Sequence, residues 1–367
     1  MPDLIQNYGD PSSPIWVLIG EPYDKDSETG YLFSSGQGFT FKKIWRLSGL
    51  PCDPFIYSLR PCLGATYDNA TRLSMLLTEI NTRKPPLIVP LSDEILTFLV
   101  PRTTQAKKKN SSLRKWAGSL LTSDYISHPH YVIGTHPPDW VNMNWEYHEI
   151  QAFIDLGHVK EEYEYWKQNG FIQSLPTRTL ITEPPIDTLL DYLRSCLGLP
   201  YISVDIETIR PRKKSYYQAE IGHPGYPYTI AIAKNAHDAI SFSIWDYLEY
   251  TARIWRLLDE LFSKVPQIGQ NYFLFDSHYL ETIGWQLCLE RCQDTYFRHH
   301  ILWPGLEHKL QFQTKQYTRE PFYKDEGKNW NSKFKRQLMV YNAKDAAVTY
   351  EIWQRQEEEF NDRPHLR

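Results

Sequence analysis

Four carboxylates and a phenol are the residues of this chain whose types and spacing could do chemistry together. Asp205 and Glu207 close the run YISVDIET, an apolar, β-favouring stretch from Tyr201 to Thr208. On a strand, side chains two positions apart face the same way. The two acids therefore project together from the strand end, while Val204 and Ile206 face packing on the other side. Two carboxylates this close repel each other, and a divalent cation relieves the repulsion. An isolated D-x-E is more often a solvated strand end, and what changes that reading lies downstream. GQNYFLFD (Gly269–Asp276) reads as a short strand breaking into a helix, with Asp276 just inside it. YNAKD (Tyr341–Asp345) heads an amphipathic segment, where positions i and i+4 share a face, so Tyr341 and Asp345 serve one site. Asp205, Glu207, Asp276 and Asp345 together are the ligand set that a pair of hard cations needs for phosphodiester chemistry.

The elements that must position these residues are readable from periodicity. Ile186, Leu189, Leu190, Leu193 and Leu197 form a helical stripe that packs on the sheet bearing Asp205. Thr229–Ala233 and Ala239–Ile244 alternate around KNAHD as a hairpin, and Asp246–Phe262 reads as an amphipathic helix. In the first half, strands at Ile15–Ile19, Phe55–Leu59, Leu87–Leu91 and Tyr131–Thr135 alternate with helices at Gly36–Leu47, Asn69–Ile80 and Asp93–Leu99. The first strand stops at Gly20-Glu21-Pro22, and the last delivers His136-Pro137-Pro138. Such alternation predicts a layered α/β domain with its site at the strand ends. A helix from His148 to Phe171 follows, and the proline-rich Ile172–Pro185 reads as a moderately stiff linker. The expectation is an α/β chain of two domains, 1–171 and 186–367, joined by residues 172–185.

Composition bounds the partners. With 367 residues, 41% of them hydrophobic, the chain can bury a large core, and its length suggests about two domains. A net charge of −4 excludes a globally basic nucleic-acid binder, so any such contact must come from local patches. Arg102–Lys115 (RTTQAKKKNSSLRK) is one, with Lys107, Lys108, Lys109, Arg114 and Lys115 beside the strand-end site of the first domain. RPRKKSYYQ (Arg210–Gln218) is a second. A third, Arg319–Arg336, mixes Lys324, Lys328, Lys333 and Lys335 with Phe322, Tyr323, Trp330 and Phe334. Basic residues interleaved with aromatics suit a single strand, whose phosphates need charge and whose bases need stacking surfaces; a charged surface loop with its aromatics folded inward is the equal alternative for any one residue. The five cysteines are scattered, and Cys288 and Cys292, four apart, read as helix-packing thiols rather than ligands, which fits a reducing interior. No signal peptide opens the chain, and no run of about 18 apolar residues could span a membrane.

The order D-x-E, N-x4-D, Y-x3-D resembles the DEDD-type 3′–5′ exonucleases, in the variant with tyrosine in the third motif. It is most similar to the proofreading domain of family A DNA polymerases, phage ones in particular. Asp294-Thr295 and the following HHILWPGLEHKLQFQTKQYTREPFYKDEGKNW look like the connecting region of those enzymes, which an RNase D-like nuclease is not expected to share. The likeness covers Leu199 to Trp353. It implies an RNase H-like fold with a mixed sheet, and hydrolysis of the terminal phosphodiester at a single-stranded or frayed DNA 3′ end. It also implies two Mg²⁺ or Mn²⁺ ions. Asp205, Glu207 and Asp345 would hold the ion that activates water, and chiefly Asp205 the one at the leaving 3′ oxygen. Asp276 would support them through water, Tyr341 orient the nucleophile and Asn271 contact the nucleic acid. The expected partner is a DNA polymerase supplied in trans, and the expected location the cytoplasm of a bacterial or phage-infected cell.

Ile15 to Trp140 resembles the uracil-DNA glycosylase superfamily in its thermophile-like branch. The matching pieces are Gly20-Glu21-Pro22, the loop SLRKWAGSLL and the strand running into His136-Pro137. By that likeness Glu21 or Asp24 would orient water, and His136 would donate to the departing base. Three departures stand out: the first motif is GEPYD, Tyr57 and Ser58 replace an expected asparagine, and only Cys52 and Cys62 occupy the region of a four-cysteine cluster. No iron–sulfur cluster is expected, and a DNA-binding module that has lost its chemistry is favoured over an active glycosylase. The alternatives for the whole chain are a non-catalytic polymerase processivity or scaffold subunit, or an active glycosylase fused to a free-standing nuclease.

Overall fold

The β-branched and aromatic runs of the first half become strands β1 (Ile15–Ile19), β2 (Phe55–Ser58), β3 (Leu87–Pro90) and β4 (Tyr131–Val132). They form a parallel sheet in the order β2-β1-β3-β4. The structure, a computed structural model, describes residues 7–60, 68–104, 111–208, 227–323 and 335–366. It divides into two compact units, Met1–Leu175 and Pro176–Arg367. In the first unit β1 is buried along its whole length, as a central parallel strand covered on both faces must be. The strands are connected by α1 (Asp24–Thr29), α2 (Gly36–Leu47), α3 (Asn69–Arg83), α4 (Asp93–Leu99) and α5 (Ser112–Trp116). After β4 come α6 (Pro138–Met143) and α7 (Trp145–Asn169). Ser35, Asp68 and Ser92 cap α2, α3 and α4 by accepting from Gly38, Thr71 and Ile95 N–H groups. Gly38 is required by contact: a Cβ there would meet the Phe33 backbone at 2.3 Å.

The second unit is built on a six-stranded sheet, counted among the described residues, in the order β10-β9-β6-β7-β8-β5. Its strands are β5 (Thr179–Thr182), β6 (Ile202–Thr208), β7 (Pro227–Asn235), β8 (Asp238–Phe242), β9 (Gln267–Gly269) and β10 (Gln293–Asp294). β7 runs antiparallel to β6 and β8, and the other pairings are parallel, so the sheet is mixed as expected. Its two faces differ in side-chain size. On one, Val204, Ile206, Ile230, Ile232, Ile240 and Phe242 pack against α8 (Ile186–Cys196) and α9 (Thr251–Lys264) through Leu189, Leu190, Leu193, Ile254, Leu258 and Leu261. Each such side chain contributes about 1.5–3 kcal/mol. On the other, Ala231, Ala233 and Ala239 meet Ala343, Ala346 and Ala347 of a long C-terminal helix. In chain order after α9 come α10 (Asp276–Thr282), α11 (Thr295–Leu302) and α12 (Leu310–Tyr317), and the C-terminal helix itself is α13 (Lys335–Asp362).

Several expected elements take other forms. The supposed linker contains β5, an edge strand paired with β8 from Thr179↔Asp238 to Thr182↔Ser241. Arg178, buried just before it, bridges Glu320 at 3.1 Å and Glu351 at 2.5 Å and so fixes the strand start. The helix expected at Asp246–Phe262 starts only at Thr251, after two 3₁₀ turns. Cys288 and Cys292 are buried as expected but flank a 3₁₀ turn rather than sharing a helix; the Cys292 thiol donates to Gln267 Oε1 at 3.3 Å. β4 stops at Val132, and the end of the basic Arg102–Lys115 segment is the helix α5, with Leu113 and Trp116 buried.

Behind the sheet edge, three imidazoles are joined in a line. His299 Nε2 donates to Gln316 Oε1 at 2.9 Å, so His299 Nδ1 accepts from His308 Nδ1 at 2.7 Å; His308 Nε2 in turn lies 2.9 Å from His300 Nδ1. The His308 carbonyl accepts from both Gln270 and Gln313, which ties this cluster to the end of β9. Burial pushes His299 down to about 4, with His308 and His300 adding to the effect. At His299 the native state is thus less protonated than the unfolded chain between pH 4 and pH 6.5. The contribution of His299 to stability is fully present above about pH 6.5 and is lost as pH falls toward 4, by on the order of 3 kcal/mol. Urea unfolding of wild type and His299→Gln at a series of pH values is expected to show that loss as a difference between the two profiles; the same change of midpoint from pH 7 to pH 4.5 in both would contradict it.

Candidate active site

Asp205 and Glu207 lie opposite Ala231 and Thr229 of β7, on the small-residue face of the sheet, and both are half-buried. That is the orientation read from the alternation in β6, with Val204 and Ile206 in the large-residue core behind. β9 pairs with β6 only at Ile202 and Ser203. Beyond them the β6 edge is open to a side chain, and Asp276 Oδ1 accepts the Ile206 N–H at 3.0 Å, between the two acids. Asp276 opens α10 and is buried. Burial pushes its carboxyl well above the usual carboxylate range, the Asp294 and Glu207 carboxylates push the same way, and the Ile206 N–H opposes them.

The turn that delivers Asp276 is held by Asp294. Its Oδ1 accepts from Asn271 N and Tyr296 N, each at 2.9 Å, and its Oδ2 accepts from Phe273 N at 3.2 Å. Asn271 adopts the left-handed conformation, φ 58°, which asparagine tolerates better than most residues. Asn271 thus shapes the turn that leads into α10. From the other side, α13 presents Tyr341 and Asp345 on one face. The Tyr341 phenol is hydrogen-bonded to Asp345; burial, then Asp345, Asp205 and Glu207, push it well above its ordinary value. The five residues singled out from the sequence thus share one site.

Two further residues hold the carboxylates. Asn342 Nδ2 donates to Asp205 Oδ2 at 2.6 Å and to the Asp205 carbonyl at 3.1 Å. Tyr323 donates its hydroxyl to Asp345 Oδ1 at 2.7 Å. Of the two alternatives open for Tyr323, a stacking surface or an aromatic folded inward, the second holds: it is buried, with Lys344 4.8 Å above its ring. Neither bond has a local sequence signal, because each joins distant segments. As they stand, no group of three or more His, Cys, Asp and Glu among the described residues is arranged to hold a metal ion. The donor chemistry still fits one: hard carboxylate oxygens that feel one another's charge across β6, α10 and α13 suit a hard divalent cation.

The other sequence-derived candidates are dispersed. Glu21 is exposed and paired with Arg60, which also reaches Glu94 at 3.4 Å. Asp24 begins α1, and its side chain lies outside the described residues. His136 is buried, its Nδ1 3.3 Å from His148 Nδ1 and its ring 5.2 Å from Trp140. β3 separates the strands that deliver Glu21 and His136. Arg114 is exposed with its guanidinium 5.6 Å over Trp140, and Lys115 lies 5.7 Å over Trp116. Lys335 is engaged by Asp246. Lys107, Lys108, Lys109, Lys324, Lys328 and the Arg210–Gln218 segment lie outside the described residues.

Residues 184–360 match the 3′–5′ exonuclease family. The matched stretch holds every carboxylate of the site, and this exonuclease domain is an α/β fold of RNase H-like type. Among solved structures the chain is similar to the catalytic core of RRP6 from Trypanosoma brucei, at 15% identity and TM-score 0.41, over 53% of this chain and 50% of that one. It is also similar to Escherichia coli RNase D, at 14% identity and TM-score 0.34, over 52% of this chain and 50% of that one. A third is the POL domain of Pol1 from M. smegmatis with DNA primer-template and dNTP, at 15% identity and TM-score 0.36, over 51% of this chain and 28% of that one. The likeness thus spans about half the length of the first of these. No curated protein matches the chain. Among the described residues, no helix is long and apolar enough to cross a membrane.

The Tyr323 bond to Asp345 is a donor to a buried carboxylate, and such bonds contribute about 1.5–3 kcal/mol. Tyr323→Phe keeps the ring and deletes the donor, so chemical unfolding at neutral pH is expected to show a loss of that size in the exonuclease domain. A loss below about 0.5 kcal/mol would mean that the bond does not form.

Proposed function

We propose that this protein is a divalent-metal-dependent 3′–5′ exonuclease that removes nucleotides from a single-stranded or frayed DNA 3′ end, in the service of a DNA polymerase. The observation that carries the reading is the convergence of Asp205, Glu207, Asp276, Tyr341 and Asp345 from three elements, inside the stretch that matches the exonuclease family. The connecting region read from the sequence favours DNA and a proofreading role over RNA.

The site residues divide the work by geometry. Asp205, Glu207 and Asp345 would hold two Mg²⁺ or Mn²⁺ ions, which when bound activate the attacking water and stabilise the departing 3′ oxygen. Asp276 accepts the Ile206 N–H with one oxygen, so it braces the strand that carries Asp205 and Glu207. Tyr341 stays a neutral phenol at neutral pH, since burial and three carboxylates all disfavour its anion, and a neutral phenol can donate to Asp345 while orienting water.

For the first unit, the reading is a DNA-retaining module without base-excision chemistry. Glu21 is committed to Arg60, and His136 is buried against His148 rather than facing a base. One experiment addresses both units: 5′-labelled single-stranded DNA, its RNA counterpart and uracil-containing duplex DNA, each incubated with Mg²⁺ or Mn²⁺. Stepwise shortening of the DNA from its 3′ end is expected, with no alkali-labile sites at uracil. Asp205→Ala is expected to abolish shortening while leaving binding largely intact, and Tyr341→Phe to be milder. Retention of more than a few per cent of activity in Asp205→Ala would overturn the site, and faster shortening of RNA would overturn the substrate.

A further inference from the structure

Asn342 sits where the packing favours an alanine. Its neighbours Ala343, Ala346 and Ala347 form the close contact of α13 with Ala231, Ala233 and Ala239, and asparagine is a poorer helix former than alanine. Asn342 is completely buried, as is Ser241 of β8. Burying an amide is unfavourable unless its hydrogen bonds are made, and here they are. The Ser241 hydroxyl donates to Asn342 Oδ1 at 2.8 Å, and Asn342 Nδ2 donates to both Asp205 Oδ2 and the Asp205 carbonyl. The orientation of the amide follows from the partners. Both Asp205 atoms only accept, so the amide nitrogen must face them and the amide oxygen must face Ser241.

The relay crosses the sheet. Asp205 pairs with Ala231 of β7, and Ala231 pairs with Ser241 of β8, so the three lie in one row. Asn342 spans the row from Asp205 to Ser241, with the small Ala231 between its two ends. One nitrogen bonded to both the carboxylate and the carbonyl of the same residue fixes the side-chain torsions of Asp205. We propose that Asn342, oriented by Ser241, is a positioning residue that sets the affinity of the site for a divalent cation by presenting Asp205 in a single orientation. The inference rests on the reading of Asp205 as a cation ligand. Outer partners of metal ligands typically account for 10–100-fold in affinity.

The test is a titration of the full chain, in the absence of nucleic acid, with Mn²⁺ followed by the electron paramagnetic resonance signal of the free ion. Wild type, Asp205→Asn, Asn342→Leu and Ser241→Ala are compared, with melting of each cation-free protein recorded alongside. Asn342→Leu is expected to raise the dissociation constant about 10–100-fold. Ser241→Ala, which keeps the amide but releases its anchor, is expected to raise it several-fold, with nuclease activity restored at saturating Mn²⁺. If both variants melt earlier yet bind Mn²⁺ as wild type does, the relay is only structural and the inference is wrong, while the reading of the site stands. Should Asn342→Leu not fold, Ser241→Ala alone decides. Binding that is indistinguishable between wild type and Asp205→Asn would instead remove the reading of the site, and the inference with it.

Discussion

The close approach of α13 to the sheet, made by alanine on both sides, is the constraint on which the second unit of this protein depends. Ala231, Ala233 and Ala239 leave no bulk between the strands and Ala343, Ala346 and Ala347. A helix brought that near can reach carboxylates on the sheet with side chains as short as asparagine and aspartate, as the 2.6 Å bond from Asn342 to Asp205 shows. The opposite face is filled with isoleucine, leucine and phenylalanine against α8 and α9. Hydrophobic burial is thus concentrated behind β6, while the small-residue face is given to polar groups. The repulsion among Asp205, Glu207, Asp276 and Asp345 is borne by this packing and by donors aimed at individual oxygens.

Those donors come from every side. Asp276 is anchored on the β6 backbone, Asp205 by an amide of α13, and Asp345 by a phenol that precedes α13. Asp294 holds the turn before Asp276 by accepting three backbone N–H groups. The glutamines Gln270, Gln313 and Gln356 extend this bracing behind the sheet edge, where Gln313 donates to Gln270 and Gln356 to Gln313. Each bond limits how far a carboxylate can turn, so the site's geometry is set by its surroundings more than by the acids themselves.

Much of this was readable in the chain, and the part that was not has a common cause. Alternation in β6 assigned Asp205 and Glu207 to one face, and the i,i+4 spacing joined Tyr341 to Asp345, because both signals are local. The tie from Asp276 to Ile206 spans 70 residues, and that from Asn342 to Asp205 spans 137, so neither leaves a local pattern. The basic neighbours of Tyr323 leave a stacking surface and an inward-folded ring equally open, and what decides for the second is a buried partner 22 residues on. β5 was hidden by flanking prolines that suggested a linker; what makes it a strand is an open edge of β8 and the ion pairs of Arg178. In the first unit the parallel α/β alternation was legible, but the burial of His136 against a helix that begins at Trp145 was not.

The central claim is that the carboxylates of β6, α10 and α13 constitute one cation site, and anomalous diffraction from crystals equilibrated with Mn²⁺ addresses it most directly. The account predicts manganese density bounded by Asp205, Glu207 and Asp345, and its loss in Asp205→Asn. Manganese found only elsewhere in a protein that still shortens DNA from the 3′ end would contradict it.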